Sequence, residues 1–364
     1  MEQKSLGEWI AQLRKSYGMT QRELAERMHV SDKAVSRWER NKTAPDLSAV
    51  PALAELFHVT ADELLHGGLR PADESGDAAP TETQRKLQAL MEKSLRNIRK
   101  IENEPERISA IYDLFNEETR LTRTKAARVE MLTTVRTIER HLRPGMKILE
   151  LGAGTGEYSL YFARKGYSVT ALDIADSNLQ KLESKIRTGI RLELCKGDAR
   201  DLSAFAPESF DIVLVLGPLY HMESEDEGVR CAREALRVCK PGGFQFFAFI
   251  SNDMVVLTEF ACRPRFFAED SYDHQSFHVK GFPFYFHTVE EAEALLRKAG
   301  VRITRAVAAD GVSELMADRI NALDDADYEQ YLRYHFYCCE KRELLGHSNH
   351  LLFVGQKPRP APAP

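Results

Sequence analysis

The sequence has no CxxC pair and no Cys/His grouping at metal-ligand spacing. Its six cysteines, Cys195, Cys231, Cys239, Cys262, Cys338 and Cys339, follow no secretory leader. A disulfide framework and a zinc finger are thereby excluded, reduced structural thiols are expected, and no metal is expected. Long apolar runs are missing too. Stretches such as Phe244–Ile250 fall far short of the roughly 20 residues that cross a bilayer, so a cytoplasmic protein without membrane contact is the expectation. Nor is there an excess of positive charge: 50 Lys and Arg stand against 55 Asp and Glu, a net charge of −5. Any attraction for nucleic acid must therefore come from a local patch.

What is present is enough apolar material, 43% of 364 residues, for two domains with real cores. Residues 67–84 are rich in Gly, Pro, Ala and acids and read as a flexible linker. The stretch 358–364, which is Pro- and Ala-rich, reads as a disordered tail. Before the linker the apolar spacing is helical throughout. After Lys147 strand and helix patterns alternate. Between them a connecting helix over 85–107 carries the stripe Leu87, Leu90, Met91, Leu95, Ile98 and Ile101, ending near Pro105. That stripe either pairs two chains or docks on the second domain. Docking is preferred, because so few heptads make a short coiled coil. The expected domains are 1–66, all-α, and 108–357, α/β.

In the first domain Thr20 caps a helix with Gln21, Leu24, Ala25 and Met28. After the turn His29-Val30, Ser31 caps a second helix with Val35 and Trp38. Leu24, Ala25, Val30, Val35 and Trp38 are spaced to bury against one another, which leaves Asp32, Lys33, Ser36 and Arg37 facing outward. From Ser31 to Lys42 four cations, Lys33, Arg37, Arg40 and Lys42, face only Asp32 and Glu39. Lys33 and Arg37 can reach guanine edges or phosphates, and Gln21 at a helix start can grip phosphate. The stretch MTQRELAERMHVSDKAVSRWERNKTAPD, Met19 to Asp46, resembles the phage-repressor-like (XRE/Cro type) helix-turn-helix family, with likeness over about residues 5–66. It departs at Asn41, where that family favours glycine; Asn is the next best residue for a left-handed helix end. The resemblance implies double-stranded DNA as a partner of residues 1–66, through Gln21, Ser31, Lys33, Ser36 and Arg37. One copy would bind weakly, so a homodimer on paired half-sites is expected.

In the second domain Met146-Lys-Ile-Leu-Glu-Leu-Gly-Ala-Gly-Thr-Gly is a strand running into a glycine turn and then a helix. Gly152, Gly154 and Gly156 remove side chains where backbone must approach a ligand. The third glycine comes one residue early for a dinucleotide fingerprint, and Glu157 beside it argues against pyrophosphate. The next strand ends at Asp173, about 20 residues on, suited to ribose hydroxyls. Asp198 follows a third strand and could accept an adenine amine, with the amide of Ala199 beside it. A buried strand then carries Leu216, Gly217, Pro218, Tyr220 and His221 at its carboxyl end, and Lys240-Pro-Gly-Gly makes a corner into another strand.

These five ordered signals, with the pieces IYDLFNEETRL, LGPLYHM and HLLFVGQK, resemble class I S-adenosylmethionine-dependent methyltransferases over residues 108–357. The resemblance implies a Rossmann-like, mostly parallel seven-stranded sheet with S-adenosylmethionine at its carboxyl edge. Mapped onto this chain, it implies cofactor contacts from Glu150, Gly152, Ala153, Gly154, Gly156, Tyr158, Asp173, Ile174, Asp198, Ala199, Leu216 and Gly217. Tyr112 would pack on the cofactor and Arg120 would pair with its carboxylate.

His221 is the candidate base and Tyr220 its catalytic neighbour. The aromatic insertion from Cys262 to His287, with Phe266, Phe267, Phe277, Phe282, Phe284, Tyr285 and Phe286, suits a pocket cover or a packed lid. Tyr331, His335 and Cys338 read as a buried helix face rather than a metal site. A DNA-amine methyltransferase would carry Asn or Asp, Pro, Pro and an aromatic where this chain has Gly217-Pro218-Leu219-Tyr220. The expected activity is therefore methylation of a small molecule by an enzyme carrying a transcription-regulator-like DNA-binding domain. The alternative is a regulator whose second domain senses S-adenosylmethionine or another ligand without turnover.

Overall fold

The computed structural model describes residues 5–28, 30–45, 49–57, 59, 64, 93–115, 119–263, 265–281 and 283–359. The chain forms two compact units, residues 1–116 and 117–364. The 67–84 linker, His29, Leu87, Leu90 and Met91 of the apolar stripe, and residues 360–364 of the tail lie outside the described residues.

The first unit begins with α1 (Leu6–Ser16), α2 (Gln21–Arg27), α3 (Asp32–Glu39) and α4 (Ala49–Leu56). Each of the first three helices starts on a hydroxyl cap. Ser5 and Thr20 form reciprocal capping boxes with Glu8 and Glu23, and the Ser31 hydroxyl accepts from the Ala34 amide. Ile10, Leu13, Leu24, Ala25, Val35, Trp38, Leu53 and Phe57 fill the core, and Val30 packs at its edge. Across it runs a nearly buried ion pair. Arg14 donates to Glu39 through Nε at 2.5 Å and Nη2 at 3.1 Å, and through Nη1 to the Met19 carbonyl. Asn41 sits at φ 53° as the glycine-like position requires. Its side chain does what glycine could not: Oδ1 accepts from the Gly7 amide at 2.9 Å and Nδ2 donates to the Ser5 hydroxyl at 2.6 Å, pinning α1 to the end of α3.

The connecting region is not one helix. Residues 93–99 are helical, and α5 (Glu104–Phe115) then starts anew, capped by the Asn103 side chain, which accepts from the Glu106 amide. Pro105 opens this helix instead of ending the previous one, because a first-turn residue has no intrahelical bond to lose.

The second unit opens with α6 (Lys125–Glu139) and continues β1 (Lys147–Leu151), α7 (Glu157–Arg164), β2 (Ser168–Asp173), α8 (Asp176–Ser184), β3 (Leu192–Lys196), β4 (Phe210–Val215), α9 (Glu225–Val238) and β5 (Cys239–Ser251). Then follow α10 (Asn252–Cys262), β6 (Phe286–His287), α11 (Val289–Lys298), β7 (Ile303–Ala308), α12 (Ala317–Asn321), α13 (Asp325–Cys338) and β8 (His350–Gln356). The strands line up as β3-β2-β1-β4-β5-β8-β7, with short β6 off this path against β5. Among the described strands only β8 runs against its neighbours. The expected seven-stranded, mostly parallel sheet is present, with β6 as an eighth strand.

Ile148, Leu149, Leu151, Ile212–Val215 and Leu351–Val354 are buried, as a sheet covered on both faces demands. The Pro-Gly-Gly corner is absorbed into β5. Gly242 takes φ 79°, and the pairing with β4 slips between Phe210 and Ile212, a bulge in place of the expected turn.

A Cβ on Gly7 would stand 2.1 Å from the Trp38 carbonyl oxygen, a backbone atom with no room to move. Gly7→Ala is therefore expected to destabilise the first unit by about 1–3 kcal/mol, as overpacking does. Thermal unfolding of the full chain checks this, and an unshifted first transition would refute the close approach of α1 and α3.

Candidate functional site

In a sheet of this order the strand connections diverge between β1 and β4, and the crevice outside their carboxyl ends is where ligands bind. The loops meet there: a Cβ on Gly152 would come within 2.8 Å of the Pro218 ring. Gly152, Gly154 and Gly156 take φ of 68°, 54° and 87°, so the turn after β1 is left-handed at every second residue. Gly156 is further required by packing, since a Cβ would stand 2.1 Å from Leu182.

This turn is fastened to the end of β2. The Gly152 and Ala153 amides both donate to the Leu172 carbonyl, and the Gly154 amide donates to Asp173 Oδ2 at 2.8 Å. Asp173 Oδ1 accepts from the Ala175 amide at 2.9 Å and from Asn178 Nδ2 at 3.2 Å. Burial raises the Asp173 pKa, while these donors hold the rise back. Beneath the turn Glu150 is 2% exposed and accepts from the Ser159 hydroxyl. Burial pushes its pKa up to about 8, with the nearby Asp173 and Glu157 adding to the rise. With its pKa at about 8, Glu150 is largely protonated at pH 7 and acts beneath the turn as a buried hydrogen-bonding group.

The remaining expected residues fall into three groups. Ile174 and Leu216 are half-buried, Ala153, Ala199 and Gly217 are buried, and Leu216 and Gly217 stand at the end of β4. Tyr158 is buried, with Thr134 bonded to its hydroxyl. Asp198, by contrast, is clasped by Arg200, which donates to both carboxylate oxygens at 2.7–3.0 Å and also pairs with Glu227. Arg120 is likewise engaged: its Nη1 and Nη2 meet Glu130 at 2.5 and 3.1 Å, an internal ion pair where a cofactor carboxylate was expected. Tyr112 belongs to α5 in the first unit.

His221 and Tyr220 lie on a single 3-10 turn, Pro218–His221. The Tyr220 hydroxyl donates to the Leu216 carbonyl at 3.0 Å, and its ring packs with Ile250, Val255 and Phe284. Both His221 ring nitrogens are shielded from solvent, although the residue keeps an exposed edge. Burial lowers its pKa to about 4, so the ring is neutral at pH 7.

The insertion packs largely on itself. Phe266 is fully buried and stacks on Tyr272, which stacks in turn on Phe277; Phe267 and Phe277 are exposed, and Phe282 lies outside the described residues. His335 is buried against the Thr133 hydroxyl at 2.9 Å, and Tyr331 meets the Ser313 hydroxyl, so α13 turns a packed face inward as expected.

A second polar centre escaped the sequence reading. Beyond β7, Asp310 Oδ2 meets His350 Nδ1 at 2.7 Å, and Glu130 Oε2 from α6 comes within 3.4 Å of the same nitrogen. Burial alone would lower the His350 pKa, but the Glu130 and Asp310 carboxylates outweigh it and push it up to about 9. The three residues come from widely separated segments, so no spacing could reveal them.

On the first unit, Lys33 and Arg37 are exposed on α3, while Ser31 serves as the helix cap and Ser36 accepts from Arg40. The Gln21 amide donates to Glu39 at 2.6 Å, so it is committed to the Arg14–Glu39 pair.

Comparison with known proteins agrees with this division. A helix-turn-helix family profile matches residues 10–64, and a methyltransferase domain profile matches residues 148–243. The ubiquinone biosynthesis O-methyltransferase of Pseudomonas syringae pv. tomato is 32% identical over 116 residues, 32% of this chain and 49% of that protein. Its counterpart in Pseudomonas fluorescens is 31% identical over 110 residues, 30% of this chain and 46% of that protein. The chain thus spans about half the length of the curated relatives it matches. Among solved structures, a SAM-dependent methyltransferase from Methanosarcina mazei is 22% identical, covering 62% of this chain and 98% of its own, with a TM-score of 0.40. The [4+2]-cyclase SpnF is 19% identical, covering 64% and 81%, with a TM-score of 0.41.

The His221 shift has a stability consequence. A histidine whose folded pKa lies below its unfolded value of about 6.5 contributes stability that is present above that value and lost as pH falls towards about 4. Wild type should therefore lose up to about 3 kcal/mol more than His221→Phe between pH 6.5 and 4. Parallel urea-unfolding curves for the two proteins across this window would rule out the buried neutral ring. Taken together, the left-handed glycine turn, the sheet order and the two matched profiles give this chain a helix-turn-helix domain over residues 10–64 and a methyltransferase domain over residues 148–243.

Proposed function

We propose that the second unit transfers a methyl group to a small molecule and that the first unit binds double-stranded DNA, so that the protein couples a methylation reaction to a DNA site. The observation that carries the enzymatic part is the left-handed glycine turn after β1, tied to the strand-end carboxylate of Asp173 at the crevice between β1 and β4. S-adenosylmethionine supplies an electrophilic methyl group on a positively charged sulfur. Gly152, Ala153, Gly154 and Gly156 would line its methionine part, Asp173 and Ile174 its ribose, and Ala199 its adenine. Asp198 would reach the adenine amine only by sharing its carboxylate with Arg200. Leu216, Gly217 and Tyr220 would face the donor side and align the acceptor, which is most of what a direct displacement requires.

A base is needed only where the acceptor loses a proton. With its pKa held at about 4, His221 serves better as an orienting neighbour of Tyr220 than as that base. The second reading is a sensor that binds the cofactor without turnover. Product formation with any acceptor in a screen separates the two.

Calorimetric titration with S-adenosylmethionine tests the cofactor site. Wild type should bind it, and Asp173→Ala should bind at least about tenfold more weakly, the order expected for losing hydrogen bonds to a charged group. No binding by wild type would overturn the methyltransferase reading.

For the DNA part, an oligonucleotide enriched from a random pool serves as the probe. Lys33→Ala and Arg37→Ala should each weaken binding, and loss of a phosphate contact should lower the salt slope by about 1. Unchanged affinity in both variants would remove α3 as the contact helix.

A further inference from the structure

We propose that Glu130, Asp310 and His350 form a binding site for one divalent transition-metal ion of the zinc class, at the carboxyl edge of the β7–β8 half of the sheet. The inference stands apart from the methyltransferase reading and does not depend on it.

Geometry is the first support. The three donor atoms, Glu130 Oε2, Asp310 Oδ2 and His350 Nδ1, all lie within 4.8 Å of one another. Two of the separations are 2.7 and 3.4 Å. Ligands bound at about 2.1 Å in a tetrahedral site stand about 3.4 Å apart, so little movement is needed to receive an ion. One imidazole nitrogen with carboxylate oxygens is a donor set for zinc, cobalt or iron in preference to calcium or magnesium, which favour oxygen throughout.

The outer contacts are those of a supported site. Asp310 Oδ1 is held by the Ser348 hydroxyl at 2.6 Å and by the His350 amide at 3.0 Å, which leaves Oδ2 to point at the imidazole. Arg120 orients Glu130, whose oxygens each keep a further lone pair.

A buried polar atom beside His350 in the chain also lacks a partner. Asn349 is 3% exposed and its Nδ2 donates a hydrogen bond to Glu314, while its Oδ1 has no hydrogen-bond partner. A buried amide oxygen without a donor is costly, and a bound ion or an ion-bound water would satisfy it.

The test uses the full-length protein, freed of metal with chelator and titrated with cobalt(II) at pH 8, followed by visible absorption and by calorimetry. One cobalt per chain is expected, with a spectrum of nitrogen and oxygen ligation. His350→Gln and Asp310→Asn should each weaken binding by at least about tenfold. Cys262→Ser, which removes an exposed thiol, should bind as wild type does. No uptake by wild type, a thiolate charge-transfer band, or unchanged affinity in His350→Gln would each overturn the proposal. The wild-type measurement alone decides it should the variants fail to fold.

Discussion

One carboxylate holds together the edge of the sheet where β1 and β2 end. Asp173 closes β2 and reaches back across the sheet edge to the Gly154 amide, while its other oxygen anchors the start of α8 through Ala175 and Asn178. The turn after β1 therefore has no shape of its own. Three glycines allow it, and Asp173 with the Leu172 carbonyl defines it. Everything nearby follows from that placement: Gly152 comes up against Pro218, Gly156 against Leu182, and Glu150 is sealed below.

The same principle of a polar group fastening distant elements recurs in the first unit. Glu39 collects Arg14 and Gln21, and Asn41 collects Gly7 and Ser5, so α1, α2 and α3 are locked by side chains as well as by their apolar faces. A nearly buried pair such as Arg14–Glu39 adds little net stability against an apolar substitute, but losing one partner strands the other. It fixes the angle at which α3 presents Lys33 and Arg37.

Much of this was legible in the sequence, for a physical reason. Caps, glycine turns and strand-end carboxylates are local devices written in neighbouring residues: Thr20 with Glu23, Gly152 to Gly156, and Leu172 with Asp173. The mostly parallel seven-stranded sheet followed from the resemblance to a known family, while the alternation of patterns gave only an α/β domain. What could not be read were partners brought together from afar. Gln21 looked free for phosphate but bonds Glu39. Arg120 looked free for a carboxylate but found Glu130, and Asp198 found Arg200 two residues on. The isolated histidine at 221 gave no hint that its nitrogens would be enclosed. The Glu130, Asp310 and His350 cluster depends on three elements meeting, and Pro105 was taken for a stop where it is a start.

The antiparallel strand β8 lies between β5 and β7, and it is the only strand on the main path of the sheet with which β7 pairs. During synthesis, β7 emerges before α12, α13 and β8. Until β8 arrives, both β5 and β7 display open backbone edges, and Asp310 waits without His350. The β1–β2–β3–β4 half can assemble early, whereas the other half closes only when the late strand slides in like a bolt. A ribosome pausing between β7 and β8 would leave a half-sheet with two exposed edges, the state in which this protein is most open to mispairing or to a chaperone.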